Sequence, residues 1–413
     1  MPRAAPLLAL VSHGTTSTLG RLDPLTLNVS PGPKLFVGLH DIPATFSPDR
    51  SLLALGSGRT TTLELVRVRR LKRLALIDLP GIPAALSWPT SARLLAIVSE
   101  GDRLEALLVD PRSHRVIARH SIARTNVVSG IAITRRNVVL LLAPRQKTTS
   151  ALVDDLGPAT LAVVANDGRA RTIRLPEVIA GSAARAGTAW PPLIHVSRPG
   201  LVTDPDGRVA YIAASDRTIN EIDLRSLTMQ QHSLAVHRSR FARLLDWLEP
   251  EARADGGIAV GWQRQLIWLR PGLLGLSGER DYAARVGKRK PQPASVAGGL
   301  SLIDTRHWTV NNVDRKVGVL TRTPTGFVAY QGSLLGRLTR LAVFDRDGRR
   351  RFLLPLRDGV GQYAQGRLYF GLEREYRRQR VTVVDLPTGA VHHAWAPGWV
   401  QLLDPAAPPS CWC

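Results

Sequence analysis

The chain is short of cysteine, lysine, methionine and acidic residues. Its 413 residues hold two cysteines, both at the very end as Cys411 and Cys413 around Trp412. With none in the body of the chain there is no disulfide framework, so the sequence leaves the redox compartment open. The Cys-x-Cys tail offers two ligands where a structural zinc site takes four, and it is read as a frayed end over residues 405–413. No run approaches the 18 or more apolar residues of a membrane-crossing helix. Acidic residues number 33 against 55 basic ones, a formal net charge of +22 that would ordinarily suggest a polyanion partner. Lysine, however, supplies 6 of those cations and arginine 49. A surface shaped only by phosphate attraction has no need of so lopsided a choice, and the codon bias of a high-GC genome accounts for it as well. The expectation is therefore weak, non-specific contact with nucleic acid at most.

What is present is a turn that keeps coming back: an apolar strand ending in Asp, a few turn residues, then another strand. It reads Leu22-Asp23-Pro24, Val109-Asp110-Pro111, Asn166-Asp167-Gly168, Ile222-Asp223-Leu224, Ile303-Asp304-Thr305, Phe344-Asp345-Arg346 and Val384-Asp385-Leu386. Short strands repeating every roughly 40 to 50 residues mark a radial array of four-stranded blades, an all-β propeller closed as one unit. The recurring Asp is most simply a turn residue whose carboxylate accepts backbone N–H groups. In the second repeat Arg67 stands in its place.

Taking A as the innermost strand and D as the outermost, the clearest copy runs Gly200–Thr203 as A, a turn at Asp204–Gly207, Arg208–Ala213 as B, Thr218–Asp223 as C and Thr228–Leu234 as D. The same grammar restarts near Ile42, Ile82, Val127, Ile258, Val317 and Val360. An eighth blade is split across the termini: Leu7–Val11, Ser17–Leu22 and Leu25–Val29 read as B, C and D, and Trp399–Asp404 as their missing A. Eight blades is the expected count, with seven as the alternative. The expected blade cores lie near residues 1–38 with 398–404, then 42–78, 82–121, 127–175, 199–236, 257–313, 316–357 and 359–396, within one domain over 1–404. The stretch from Arg3 to Val11 has the look of a stunted signal peptide, but no small-x-small cleavage site follows, and Leu7–Val11 is read as a strand. Localisation stays open between the cytoplasm and an exported bacterial envelope protein, and a monomer is expected.

Phe46-Ser47-Pro48-Asp49-Arg50 before Leu52–Leu55, and Thr203 to Arg208 before Ala210-Tyr211-Ile212, resemble the "SPDG, then apolar strand" hallmark of YVTN-type, TolB-type and WD40-type propellers. Val383 to Gly389 resembles the hairpin of the YVTN group. The Tyr-Val-Thr-Asn tetrapeptide itself is absent, as are the Gly-His and Trp-Asp signatures of WD40 repeats. The resemblance implies a bacterial binding or scaffolding module and transfers no catalytic residue.

Loop lengths are the functional clue. A–B turns and C–D turns are tight, whereas the B–C connections swell at Pro144–Gly157, Ser277–Gly299 and Leu372–Arg380, and the D–A connections at Glu177–Pro199 and Val236–Gly257. Strands alternate in direction, so all of these emerge on one face of the disk, where recognition is expected. Within Val236–Gly257, Phe241, Leu244, Leu245 and Leu248 fall at helical spacing beside Trp247, which suggests a surface helix. Ser277–Gly299 reads as a mobile basic loop with Arg285, Lys288, Arg289 and Lys290, and Arg374, Tyr376, Arg377 and Arg378 add an aromatic among arginines on the same face. These eight are the candidate contacts for a protein or small-molecule ligand.

No catalytic, cofactor or metal signature stands out. A lactonase-like or other metal-dependent hydrolase propeller needs three or four convergent carboxylates at the mouth of the channel, and Asp154, Asp155, Glu279 and Asp281 are loose candidates only. Quinone-dependent dehydrogenases repeat a tryptophan motif per blade, whereas Trp88, Trp190, Trp247, Trp262 and Trp308 keep no such register and are read as inter-blade core. A lyase-like propeller needs a poised histidine, and His392 and His393 point to opposite faces of a D strand. The balance favours a binding or scaffold role over an enzyme.

Overall fold

The computed structural model describes residues 5–13, 16–35, 43–57, 60–145, 156–184, 194–214, 218–234, 259–284, 292–333, 338–356, 359–372 and 379–404. In chain order the strands are β1 (Leu7–His13), β2 (Thr16–Leu22), β3 (Val29–Leu35), β4 (Ala44–Phe46), β5 (Leu52–Gly56), β6 (Thr62–Arg67), β7 (Lys72–Asp78), β8 (Ile82–Thr90), β9 (Arg93–Glu100), β10 (Arg103–Asp110) and β11 (Arg115–Arg124). There follow β12 (Asn126–Ile133), β13 (Asn137–Pro144), β14 (Gly157–Ala165), β15 (Ala170–Ala184), β16 (Ile194–Arg198), β17 (Gly200–Thr203), β18 (Val209–Ala213), β19 (Thr218–Asp223), β20 (Met229–Ser233), β21 (Ala259–Arg270), β22 (Leu273–Ala284), β23 (Gln292–Ala297), β24 (Leu300–Asp304) and β25 (Thr309–Asp314). The last are β26 (Val317–Thr323), β27 (Gly326–Gln331), β28 (Arg340–Asp345), β29 (Arg350–Pro355), β30 (Gln362–Ala364), β31 (Arg367–Phe370), β32 (Gln379–Asp385), β33 (Val391–Ala396) and β34 (Trp399–Leu402).

They form six separate four-stranded antiparallel sheets and one ten-stranded sheet. In the first sheet, β34 from the end of the chain pairs antiparallel with β1, Ala9 opposite Leu402 and Ser12 opposite Trp399. The expected sharing of one blade by the two termini is what the register shows. The ten-stranded sheet joins β12–β15 to β21, β22, β24 and β25 through β16, which is antiparallel to β15 and parallel to β21.

The apolar core is divided into clusters, each shared by consecutive sheets. Leu10 and Leu19 of the first sheet pack with Leu53, Leu55 and Val66 of the second, and the pattern passes round until Tyr369 and Val381 pack on Leu7, Ala9 and Val11. Burial of one blade's face is thus achieved only by its neighbour, which is why such units close into a ring. All seven recurring aspartates do what the turn chemistry requires. The Asp23 carboxylate accepts from the N–H groups of Leu25 and Thr26, Asp110 from Arg112, Asp167 from Arg169, Asp223 from Arg225 and Ser226, Asp304 from Arg306, Asp345 from Asp347 and Arg349, and Asp385 from Thr388. Where Arg67 replaces the Asp, a single 3-10 turn over Val68–Arg70 makes the corner instead.

Two expectations need correction. Leu25–Val29 is not the outer strand of the first blade; Asp23 holds that stretch as a turn, Leu25 is exposed, and β3 begins at Val29. β3 contains Pro31 and Pro33, which an outermost strand tolerates because one of its edges is unpaired. Nor are the described parts of Glu177–Pro199 and Ser277–Gly299 loops. β15 and β22 run on to Ala184 and Ala284, and β16 and β23 pair with those prolongations. The expected helix within Val236–Gly257 lies outside the described residues.

Candidate functional site

The prolonged strands make a secondary sheet, in the order β15, β16, β21, β22, β23, standing on the side of the disk where the sequence concentrates its insertions. Its two surfaces differ in chemistry because successive residues of a strand point to opposite sides. On one surface are Gln263 and Gln265 of β21, Ser277, Glu279 and Asp281 of β22 and Ser295 of β23, related by the register Gln263–Glu279, Gln265–Ser277 and Asp281–Ser295. This surface faces β26: Ser277 Oγ donates to the Val317 carbonyl at 3.2 Å, and Leu320 N–H donates to Gln265 Oε1 at 2.7 Å.

Both carboxylates there are buried, Glu279 at 4% and Asp281 at 1% exposure. Gln263 Nε2 donates to Asp281 Oδ2 at 2.6 Å and Ser295 Oγ donates to Glu279 Oε2 at 3.2 Å. Asp281 Oδ1 is also buried and has no hydrogen-bond partner among the described residues. Burial pushes the Asp281 carboxyl above its ordinary pKa, against the Gln263 hydrogen bond and the charge of Arg198 on β16. Gly318 on β26 gives Glu279 its room, since a Cβ at that position would lie 2.8 Å from Oε1.

Other glutamates of the ring, Glu64 and Glu105 buried and Glu221 half-buried, have a different environment. Glu64 on β6 faces Arg73 on β7 at 4.0 Å, Glu105 on β10 is bound by Arg119 of β11, and Glu221 on β19 meets His232 of β20 at 2.9 Å. Each of those contacts joins a C strand to a D strand, the first two as ion pairs and the third as a hydrogen bond, a structural role. Glu279 and Asp281 are on a B strand, where the Ser295 hydroxyl meets Glu279 and the Gln263 amide meets Asp281 beside the charge of Arg198.

The opposite surface carries Trp262 and Arg264 of β21 and Arg280 of β22. The Arg264 guanidinium lies 3.9 Å from the Trp262 ring centre and that of Arg280 5.7 Å away. Positive charge over an aromatic face is attractive. This corrects the reading of Trp262 as inter-blade core. Trp88 and Trp308 do fill that role: Trp88 is buried and donates to the Thr45 carbonyl of the preceding sheet, and Trp308 stacks on His232 at 3.5 Å between ring centres. Trp190 and Trp247 lie outside the described residues.

So do all eight candidate contacts, Arg285, Lys288, Arg289, Lys290, Arg374, Tyr376, Arg377 and Arg378, together with Asp154, Asp155 and the Cys411–Cys413 tail. Of the loose acidic candidates, Glu279 and Asp281 are brought together. Sequence reasoning missed Gln263, Arg264, Arg280 and Ser295; the alternation of polar residues along 261–265 and 277–281 was the available signal. Among the described residues no group of three or more His, Cys, Asp or Glu side chains could hold a metal ion. His392 is half-buried and His393 exposed, as alternation requires. Among the described residues no helix is long and apolar enough to cross a membrane.

No protein-family model matches the chain, and no curated protein matches it. Solved structures of similar shape are numerous, 1111 chains, so the shape by itself singles out no activity. One is the dihydro-heme d1 dehydrogenase NirN in complex with DHE, 14% identical, with a TM-score of 0.57 over 96% of this chain and 74% of that one. BamB from Moraxella catarrhalis is 11% identical over 95% of this chain and 92% of that one, with a TM-score of 0.46. AztD from Citrobacter koseri is 9% identical over 97% and 96%, with a TM-score of 0.47. Identities this low speak only to fold, and there the likeness to NirN and the ring of antiparallel sheets agree: the chain is a β-propeller.

Proposed function

We propose that the chain is a binding propeller of eight blades that recognises its partner on the face bearing the secondary sheet. Within the ten-stranded sheet, β12–β15 and β21, β22, β24 and β25 are each a four-stranded antiparallel run, and counting them as two blades gives eight. A left-handed residue recurs at eight C–D corners, Leu27, Leu71, His114, Gly168, Leu227, Trp308, Gly348 and Gly389, in support of that count. The blades occupy residues 1–404 as one domain.

The observation that carries the functional reading is the prolongation of β15, β21 and β22 beyond the disk. Ordering those residues costs about 1–2 kcal/mol of backbone entropy each, and the ring does not need them to close. A rigid scaffold with elaboration on one face is the usual architecture of a recognition surface. The basic positions Arg285, Lys288, Arg289 and Lys290 fall between β22 and β23, and Arg374, Tyr376, Arg377 and Arg378 between β31 and β32, both connections of that same face. They are the proposed partner contacts.

A second reading, a small-molecule or enzymatic site at the same mouth, is favoured by the buried pair Glu279 and Asp281. That NirN, a protein of similar fold, is seen in complex with DHE is consistent with such a reading.

Two variants separate the faces. In one, Arg285, Lys288, Arg289, Arg377 and Arg378 become Ser; in the other, Arg112, Arg169 and Arg349 of the tight-turn face do. Capture of partners on immobilised protein should be lost in the first and kept in the second. Equal loss in both means that net charge, not a site, was being measured.

A further inference from the structure

We propose that Arg322 and Arg346 form a binding site for a tetrahedral oxyanion, inorganic phosphate or the phosphate group of a small ester, on the tight-turn face where the sheet β26–β29 meets β21. The site is on the opposite face from the recognition surface and does not depend on it. Arg322 of β26 is directly across from Phe327 of β27, which is across from Phe344 of β28. The two rings stack with 4.8 Å between their centres, in the cluster shared with Leu269, Leu273 and Leu302 of the preceding strands. Leu320 is in that cluster too, and alternation puts Arg322, two residues on, on the same side of β26. The apolar junction between the blades therefore ends, toward the turns, in a half-buried guanidinium.

Arg346 reaches the same corner from the turn after β28. Its Nε donates to the Pro324 carbonyl at 3.0 Å, and its Nη2 donates to the same oxygen. The nearby acids are engaged elsewhere: Asp347 meets Arg270 at the end of β21 at 2.7 Å, and Asp345 accepts the N–H groups of Asp347 and Arg349. Among the described residues Arg322 has no hydrogen bond and no ion pair, and the charge that acts on it is the like charge of Arg346. Burial first and Arg346 second hold its pKa below the ordinary value, yet a guanidinium stays charged at neutral pH. Two cations brought together, one of them partly withdrawn from water, are costly unless an anion joins them. The bonds to Pro324 occupy two of the five N–H donors of Arg346, and the guanidinium fork matches phosphate geometry. A phosphate group carries a charge approaching two, which suits a pair of arginines better than the single charge of a carboxylate.

The test uses the full chain in a chloride buffer of fixed ionic strength. Inorganic phosphate, phenyl phosphate and acetate are titrated separately by calorimetry, with the melting temperature as a second readout. Saturable phosphate binding that raises the melting temperature is expected, with acetate weaker. Phenyl phosphate bound as well as the free ion assigns the site to an ester, and its rejection assigns it to inorganic phosphate. Arg322→Gln should bind phosphate at least about tenfold more weakly, for the lost charge-assisted contact, while melting no lower than the parent in chloride. Arg349→Gln, which removes the same charge from the turn after β28, should bind like the parent. If Arg346→Gln does not fold for want of its bond to Pro324, Arg322→Gln decides the matter. Absence of saturable phosphate binding overturns the inference, as does acetate binding as tight as phosphate. So does equal weakening by Arg322→Gln and Arg349→Gln, because the net charge of +22 rather than a site is then responsible. An Arg322→Gln protein that melts well below the parent in chloride overturns it too, since Arg322 then serves the fold.

Discussion

Gln362 holds Leu402 as a neighbouring strand would: its Oε1 accepts the Leu402 N–H at 2.7 Å, while its Nε2 donates to the Val400 carbonyl at 2.9 Å. One side chain thus ties β30 to the inner edge of β34, the strand that brings the chain end back to β1. Gln362→Leu should leave both backbone groups without their partner, at a cost of about 2 kcal/mol. Deleting residues 398–413 should cost several kcal/mol, because β1 loses its pairing from Ala9 to Ser12 and the cluster around Tyr369 loses Val400. Chemical denaturation of the two variants against the parent measures both effects. A truncated chain as stable as the parent would refute closure by β34.

A second prediction concerns the same seam in alkali. Tyr369 is fully buried, and its hydroxyl donates to the Pro24 carbonyl at 3.1 Å across the junction. Burial pushes its pKa, like that of Tyr211, up to about 12. A phenol whose folded value lies above its unfolded one contributes stability that is complete below about pH 10 and is lost as pH rises toward 12. Denaturation midpoints should therefore drop over that interval. Tyr369→Phe should start lower by about 1 kcal/mol, for the lost hydrogen bond, and should then fall less steeply with pH. A slope identical in parent and variant would rule out this role for Tyr369.

The acid limb has the opposite sign. Hydrogen bonds from Ser47 and Ser51 hold Asp49 below its ordinary value, and turn hydrogen bonds hold Asp110, Asp223 and Asp304 below theirs, led by the backbone N–H groups of Arg112, Ser226 and Arg306 respectively. Depressed carboxyls stabilise the fold above their unfolded pKa and lose that contribution as pH falls through the folded values. Stability should be level above about pH 5 and decline below about pH 4. A variant with all four changed to Asn should show a shallower decline between pH 4 and 2. An unchanged slope would mean that other carboxylates dominate acid unfolding.

These turns are also the part of the fold most legible in the sequence. An Asp two to four residues before the N–H groups it accepts is a local device, so its seven copies and their spacing survive without knowledge of the neighbours. The secondary sheet was not legible for the converse reason. β15 reaches Ala184 and β22 reaches Ala284 only because β16 and β23 pair with them across connections that local propensity cannot bridge. Segments such as Gln292–Ala297, with a proline and no aromatic residue, have little strand signal of their own. Glu279 and Asp281 were visible as acids near the mouth. That both are buried, and that Gly318 from the next sheet makes room, follows from packing between sheets rather than from any spacing along the chain.

Gly318 offers the sharpest test of that packing. A methyl group at this position would lie 2.4 Å from the Gly332 carbonyl and 2.8 Å from Glu279 Oε1, both closer than real contacts allow. The carbonyl belongs to the backbone just past β27 and cannot swing aside, so Gly318→Ala should shift β26 against its neighbour and cost about 1–3 kcal/mol. The Glu279 side chain, by contrast, has a flexible end. Gly318→Ala combined with Glu279→Ala should therefore recover only a fraction of the loss, because the carbonyl clash persists. Thermal and chemical denaturation of the two single variants and the double variant form the cycle. Full recovery in the double variant would assign the strain to Glu279 alone, and no loss in Gly318→Ala would show that β26 and the backbone at Gly332 approach less closely than 2.4 Å implies.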